Sequence, residues 1–451
     1  VKEIIISPVT RISGLLSADL SYDVSGTSIT EANCNGEQFR GFELMMRERK
    51  ATDTVYFTQR ICGICSMAHG FTAARLVEKI YGITPTPEMI ILQQAMLGAE
   101  FLQNHIRHFY LLALPDYLNS DFLPYFPVSA SSTRCDSRLS EAQQRLLIEH
   151  YFAAMEYSRK CHNMLSVFGG KIPHQHGLTA AGVTVAPTAD RRLQFLSMLE
   201  EVRVFLNSIM LTDVYLLADA YADYFNIGNR PARLISFGLF DPRFGGHFPA
   251  GVFDEGDLMP VQPEDIRESV TFSWYAEDGT ETKPQPDKPG AYTWVKAPRY
   301  HGLSCEGGPL ARKIIKYGNP VVASPGVMTR LLARAEEALL ISQWMADWIN
   351  DLPDIGQYII PTEKAILPEA IQLNDAPRGP LLHAMAVSGE TVTHYNVITP
   401  STWNFSPKDT TGQRGPCEEA LVGTVITDPT NPVEPGRIIR SFDPCLNCGT
   451  H

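Results

Sequence analysis

The sequence predicts an α+β fold, predominantly helical, with a central bundle of long helices and small peripheral β-sheets. Three observations carry this. Four long stretches repeat apolar residues at helical spacing, short β-like runs occupy the first forty residues and the region after Pro353, and the 451-residue chain is 44% hydrophobic and 20% charged, a composition that buries a large core.

In chain order, Lys2 to Ile6 and Gly14 to Tyr22 read as strands of an N-terminal β region, residues 1–45. Pro87-Glu88 then opens a helix to about Leu114, with Ile90, Ile91, Met96, Leu97, Phe101 and Leu102 on its stripe and Pro in the first turn. Ser140 to Val167, Asp190 to Tyr224 and Met328 to Leu352 follow, the last bounded by Pro325-Gly326 and Pro353. The helical core is thus expected in residues 85–226 and 326–352. Between them, Asn229 to Gly302 is rich in Gly and Pro and carries the β-like run Val270 to Tyr275, an inserted β and loop region. After Pro353, Glu390 to Thr393 and Tyr395 to Ile398 read as short strands of a C-terminal region, residues 355–451. There is no internal repeat at solenoid or propeller periods.

A formal net charge of −12 and a sequence pI near 5.5 exclude a nucleic-acid or anionic-membrane surface as the main partner. The densest charge cluster, Arg47-Glu48-Arg49-Lys50, mixes signs. No apolar stretch reaches the roughly 18 residues of a membrane span, and the apolar start at Val1 to Ile6 stops at Pro8, too short for a signal segment. The expected location is the cytoplasm, with export on a signal-bearing partner as the other route.

The nine cysteines are too sparse for a disulfide framework. Cys34, Cys135, Cys161, Cys305 and Cys417 stand alone and read as small buried hydrophobes. The other four form two Cys-x-x-Cys pairs near opposite ends of the chain, Cys62 with Cys65 and Cys445 with Cys448. Each pair is a ready chelate, and two chelates make a tetrathiolate for a soft or borderline metal. Structural zinc and a rubredoxin-like iron share that ligand set. Zinc ribbons, however, keep their halves about 15–20 residues apart, whereas most of this chain lies between the pairs. A site built from both ends requires the ends to meet, so residues 1–451 are expected to form one interwoven domain.

The residues around the pairs are more specific. Arg60-Ile61-Cys62-Gly63-Ile64-Cys65 with His69, and Asp443-Pro444-Cys445-Leu446-Asn447-Cys448 with His451, resemble the two signature motifs of the large subunit of nickel-iron hydrogenases. The resemblance runs in order along nearly the whole chain: Pro8-Val9-Thr10-Arg11-Ile12, Phe39 to Glu43, Asn104 to Tyr110, Gly169 to His174, Ala297 to Tyr300, Gly308 to Arg312, Asp375 to Gly379 and Pro400 to Asn404.

The resemblance implies a hydrogenase large-subunit fold and reversible heterolytic cleavage of dihydrogen at a nickel-iron centre. All four thiolates would bind nickel, Cys62 and Cys445 as terminal ligands, while Cys65 and Cys448 would also bridge to an iron carrying cyanide and carbon monoxide. Arg378 and Ser401 would donate hydrogen bonds to the cyanides in a pocket shared with Pro377 and Pro400. A structural ion pair of Arg378 with Asp375 is the competing reading of that arginine. His69 would hydrogen-bond the bridging sulfur of Cys65. Glu43, His451 and the backbone carbonyl of Val397 would hold magnesium, a site in which the His ligand is unusual for so hard an ion. Family members lose a C-terminal extension to a maturation protease after the final His, so ending at His451 suggests the mature form.

Heterolytic cleavage needs a Lewis acid and a nearby base. Cys445 is the first choice of base, with Arg378 as electrostatic partner or rival. Two residues depart from the family pattern. Ser13 stands where Glu commonly relays the proton, and Asn104 where Asp is frequent, which points to a water-assisted route from Cys445 through Ser13. With no iron-sulfur ligand run in this chain, electrons would leave through a small subunit carrying clusters, with diaphorase or other electron-transfer subunits as further partners. A dihydrogen-sensing regulatory subunit is the alternative on the same scaffold. The related quinone-chamber subunits of respiratory complexes lack the thiolate ligands.

Overall fold

The computed structural model describes residues 1–11, 13–119, 136–277, 283–318, 325–353 and 364–451. Ile12, Cys135 and the start of the expected C-terminal region at 355–363 lie outside the described residues.

The chain begins with an antiparallel meander of β1 (Lys2–Ile6), β2 (Leu16–Tyr22) and β3 (Ile29–Gly36). Strand β2 starts two residues later than its sequence pattern suggests. Gly14 takes φ +73°, and the carbonyl of Ser13 accepts the Leu446 N–H at 2.8 Å, so this stretch serves the C-terminal turn instead of the sheet.

Helix α1 (Ser66–Tyr81) springs directly from the first cysteine pair, and the sequence pattern did not reveal it. It is buried on nearly every side, so there is no polar face to mark a period. Helix α2 (Pro87–Arg107) follows, with proline in its first turn, and continues through a wide π-turn at His108–Ala113. Helix α3 (Glu141–Gly169) is opened by a capping box in which Ser140 and Gln143 satisfy each other's backbone N–H, and closed by Gly170 in the left-handed region. The expected helix from Asp190 to Tyr224 is divided into α4 (Ala189–Phe205) and α5 (Leu211–Ala220) by a π-turn at Leu206–Met210.

The insert carries β4 (Arg233–Leu239), β5 (Phe248–Asp254), β6 (Asp257–Met259), β7 (Ile266–Ser269) and β8 (Ala297–Tyr300). Val270 to Tyr275 forms turns and isolated bridges instead of the strand its composition suggests. There Ser273 donates to the Val295 carbonyl at 2.6 Å and Trp274 packs on Trp294 across the loop. A two-residue strand β9 (Glu306–Gly307) pairs in parallel with β4 and leads into α6 (Pro309–Tyr317). Helix α7 (Val327–Asn350) then packs on α2, α4, α5 and α6, while α3 lies against α2 and α4.

An antiparallel sheet closes the fold: β10 (Glu369–Ala376), β11 (Gly379–Ser388) and β12 (Thr391–Ile398). The two short strands expected around residues 390–398 are one strand, continuous through His394. Short helices α8 (Pro400–Asn404), α9 (Val433–Ser441) and α10 (Leu446–Gly449) follow. A single cluster of buried apolar residues runs from Ile6 and Val9 to Cys445, Leu446 and Cys448, so both chain ends share one core. Among the described residues, no helix is long and apolar enough to cross a membrane.

Candidate metal centre

The first chelate sits on the turn ahead of α1 and the second on the turn into α10. Their four sulfurs converge within 4.8 Å of one another, and all four cysteines are buried. The contacts sort them into pairs. Cys62 and Cys445 lie 3.4 Å apart, Cys65 and Cys448 3.2 Å apart, and Cys445 meets Cys448 at 3.2 Å. Four thiols this close cannot all ionise without a cation among them. Hydrogen bonds from Cys448, Cys62 and Cys65 hold the Cys445 thiol well below its ordinary value, whereas contacts with Cys445, Cys448 and Cys62 together with burial push Cys65 up. Sulfur is the donor that suits nickel, iron and zinc alike, so the donor set fits a soft or borderline metal.

Arg378 sits at the tip of a two-residue hairpin. Ala376 pairs with Gly379, leaving only Pro377 and Arg378 in the turn. Its Nε–H donates to the Asp443 carbonyl at 3.1 Å, and Nε lies 3.0 Å from Asp443 Oδ1. Nη1 is buried without a hydrogen-bond partner. Burial would lower the guanidinium, but Asp443 and then the Cys445, Cys65 and Cys62 sulfurs raise it well above its ordinary value, so it stays a cation. That favours the electrostatic role over the role of base. Asp375, the competing partner, belongs instead to Arg312 at 2.9 Å and to Ser236 and the Phe237 N–H.

Ser13 Oγ lies 3.0 Å from Cys445 Sγ. Ser401 Oγ accepts the Cys445 N–H at 3.1 Å, leaving its own hydroxyl proton free to donate; Pro400 beside it is the buried first residue of α8. Asn104 Nδ2 donates to Asp443 Oδ2 at 2.8 Å. His69 departs from expectation. Its Nε2 meets the sulfur of Cys448 at 3.6 Å and not that of Cys65, while its backbone N–H donates to the Cys65 carbonyl at 3.3 Å. Burial, then the nearby His451, pushes the His69 imidazole down to about 3, so it is neutral.

A second constellation adjoins the first. Glu43 Oε1 accepts the Val397 N–H at 3.0 Å and lies 3.3 Å from His451 Nε2. The carbonyl of Val397 leaves β12 on the same edge as its N–H. His451 Nδ1 donates to the Cys448 carbonyl at 2.6 Å, which ties this site to the second chelate. Lys296, which the sequence reading missed, sets its ammonium 3.1 and 2.9 Å from the two Glu43 oxygens.

The comparisons with known proteins fall on this geometry. The family model described as nickel-dependent hydrogenase matches residues 40–134 and 132–451. The chain belongs to the nickel-dependent hydrogenase family.

The large subunit of the periplasmic [NiFeSe] hydrogenase of Desulfomicrobium baculatum is 32% identical over all of this chain and 95% of its own length. The Hydrogenase-2 large chain of Escherichia coli is 25% identical, over all of this chain and 97% of its own. The Ni-Fe-Se hydrogenase of D. vulgaris Hildenborough in the reduced state superposes with a TM-score of 0.93 at 34% identity, covering both chains fully. Selenium stands in the names of the D. baculatum and D. vulgaris relatives; the four chelating residues of this hydrogenase chain are all cysteine.

Three supports of this hydrogenase site escaped the sequence reading. Arg312 uses every N–H of its guanidinium to tie the Arg378 hairpin to α7, binding Asp375 and the carbonyls of Ala376 and Pro377 on one side and Glu337 on the other. Glu100 accepts the Met67 and Ala68 N–H groups at 2.6 and 2.8 Å and so caps the first turn of α1. Gly14 is the third. A Cβ there would lie 2.6 Å from Asn447 N and 2.8 Å from Leu446 C, inside the second chelate. Arg312 closes the Gly308–Arg312 stretch that carries part of the resemblance, but nothing local in the sequence says what it holds. Gly14→Ala is expected to cost about 1–2 kcal/mol for its positive φ alone and to push the Cys445–Cys448 turn outward. Metal analysis of the purified variant should then show nickel sharply below the wild-type content.

Proposed function

We propose that this chain is the catalytic subunit of a nickel-iron hydrogenase that cleaves dihydrogen reversibly and heterolytically, working as one interwoven unit with a small subunit that carries iron-sulfur clusters. The observation that carries the reading is the convergence of four buried cysteine sulfurs from opposite ends of the chain. The metals, when bound, supply the Lewis acid and the redox couple.

The protein's own residues do the rest. Cys62, Cys65, Cys445 and Cys448 would together hold the nickel and the iron with its cyanide and carbon monoxide ligands. Arg378, with a free Nη1, and Ser401, with a free hydroxyl proton, are the donors suited to cyanide in the pocket that Pro377 and Pro400 help wall. Cys445 is the base, and Ser13 takes the proton onward to water. Asn104 and Asp443 hold Arg378 from behind.

Magnesium is our reading of the second site. His451 Nδ1 is spent on the Cys448 carbonyl, and its Nε2 faces Glu43 Oε1 at 3.3 Å. A cation between them satisfies both, although Lys296 already brings one positive charge to that carboxylate. A cleft of about 740 Å³ lined in part by Glu268, Lys296 and Asn396 opens beside it.

Among the described residues the four cysteines form the one group of three or more His, Cys, Asp or Glu side chains placed to hold a metal, and the electrons are taken onward by the clusters of the small subunit in this reading. Location follows that partner, in the cytoplasm, or in the periplasm by co-export.

Infrared spectroscopy of the anaerobically purified complex tests the reading. Sharp bands of metal-bound carbon monoxide and cyanide are expected. Fully metallated protein without them would overturn it and leave structural zinc.

A further inference from the structure

Behind His69 the hydrogen bonding continues. His69 Nδ1 lies 3.1 Å from His383 Nε2, and His383 Nδ1 lies 2.8 Å from the Tyr395 hydroxyl. His383 is on β11 opposite Val397, and Tyr395 is two residues before Val397 on β12, so the two side chains are diagonal neighbours on one face of the sheet. All three rings are buried, His69 1%, His383 0% and Tyr395 1% exposed, so water does not intervene.

A proton count gives the chain a direction. Only one proton fits between His69 Nδ1 and His383 Nε2, and a metal-bound Cys448 is a thiolate, which accepts and cannot donate. If the shared proton sat on His69 Nδ1, the neutral ring would turn a lone pair on Nε2 toward that thiolate. With the opposite polarity every contact is attractive: Tyr395 O–H donates to His383 Nδ1, His383 Nε2–H to His69 Nδ1, and His69 Nε2–H to the sulfur.

We propose that His383 and Tyr395 are positioning residues that lock His69 in the tautomer whose Nε2–H donates to Cys448, so that the β11–β12 pair tunes how strongly this sulfur donates electrons to the metals. The inference rests on the nickel-iron reading above. A hydrogen bond to a thiolate withdraws electron density, and partners of this kind orient and tune metal ligands. Losing the lock makes the sulfur a stronger donor, which raises back-donation into carbon monoxide and cyanide on the iron.

The test compares the wild-type complex with His383→Leu, His383→Gln and Tyr395→Phe by infrared spectroscopy and by redox titration of the bands, with metal content measured alongside. His383→Leu should move the carbon monoxide and cyanide bands to lower wavenumber and the midpoint potential to more negative values. Tyr395→Phe should move them in the same sense by less. His383→Gln, which keeps an N–H donor facing His69, should stay near wild type. Unshifted bands in fully metallated His383→Leu and Tyr395→Phe would overturn the proposal, as would a glutamine variant that shifts as far as leucine. If His383→Leu fails to fold or load metal, Tyr395→Phe, which removes one oxygen at constant ring size, decides. A wild-type complex with no such bands defeats the functional reading itself, a result distinct from unshifted variants.

Discussion

Arg378→Lys should lower dihydrogen turnover about 10²- to 10³-fold, the effect typical of removing one preorganised donor, while nickel content stays at the wild-type level. The arginine does two things at once. Its Nε side is spent on the Asp443 carbonyl and carboxylate, and its Nη1 remains free in a dry pocket beside the sulfurs. Lysine keeps the charge but has one nitrogen on a flexible stem, so it can pair with Asp443 or reach the open position and not both. Arg378→Leu separates catalysis from stability. Among the described residues it leaves the Asp443 carboxylate buried with Asn104 at 2.8 Å and Arg334 at 4.0 Å, a loss of about 3–5 kcal/mol for a broken buried pair. Assays of dihydrogen oxidation together with thermal melts check both variants. Wild-type turnover in the lysine variant would remove Arg378 from the catalytic machinery.

Ser13→Ala should slow both turnover and dihydrogen/deuterium exchange by about 10²-fold, the lower range for loss of a positioned proton-transfer group. Ser13 Oγ is 3.0 Å from Cys445 Sγ, and Ser13 is 2% exposed. A hydroxyl that receives a proton must release its own, and among the described residues no other side chain hydrogen-bonds this one, so the proposed route requires a water beyond it. Ser13→Thr keeps the hydroxyl and should restore most of the rate. Alanine at position 13 with unchanged turnover and unchanged exchange would show that the proton leaves Cys445 by another path.

The four sulfurs could be read from the sequence because Cys-x-x-Cys is a local chelate whose chemistry does not depend on its surroundings. Long helices with one apolar stripe, such as α3 and α7, could be read for the same reason: their periodicity is local. Helix α1 was hidden because it is buried all round and has no period to detect. Val270 to Tyr275 has strand composition, yet its aromatic residues pack across a loop, where side-chain contacts outweigh β-propensity.

The site followed the same division. Ser13 beside Cys445, and Glu43 with His451 and Val397, were named together from motifs, but the protein partners of Arg378 and Ser401 were not. Arg378 pairs with Asp443 and Asp375 with Arg312, because the tight hairpin at Pro377-Arg378 directs one side chain away from the other. His69 reaches Cys448, a residue 379 positions away.

The sequence by itself determined the metal-binding chemistry, the family and the long helices, all properties carried by residue type and short spacing. Only the tertiary structure decided which sulfur faces which, what holds Arg378, that Lys296 lies on Glu43, and that His383 and Tyr395 stand behind His69. Those contacts join residues far apart in the chain, 65 positions for Arg378 and Asp443 and 383 for the facing sulfurs, and their geometry follows from how the whole core packs, which no local pattern records.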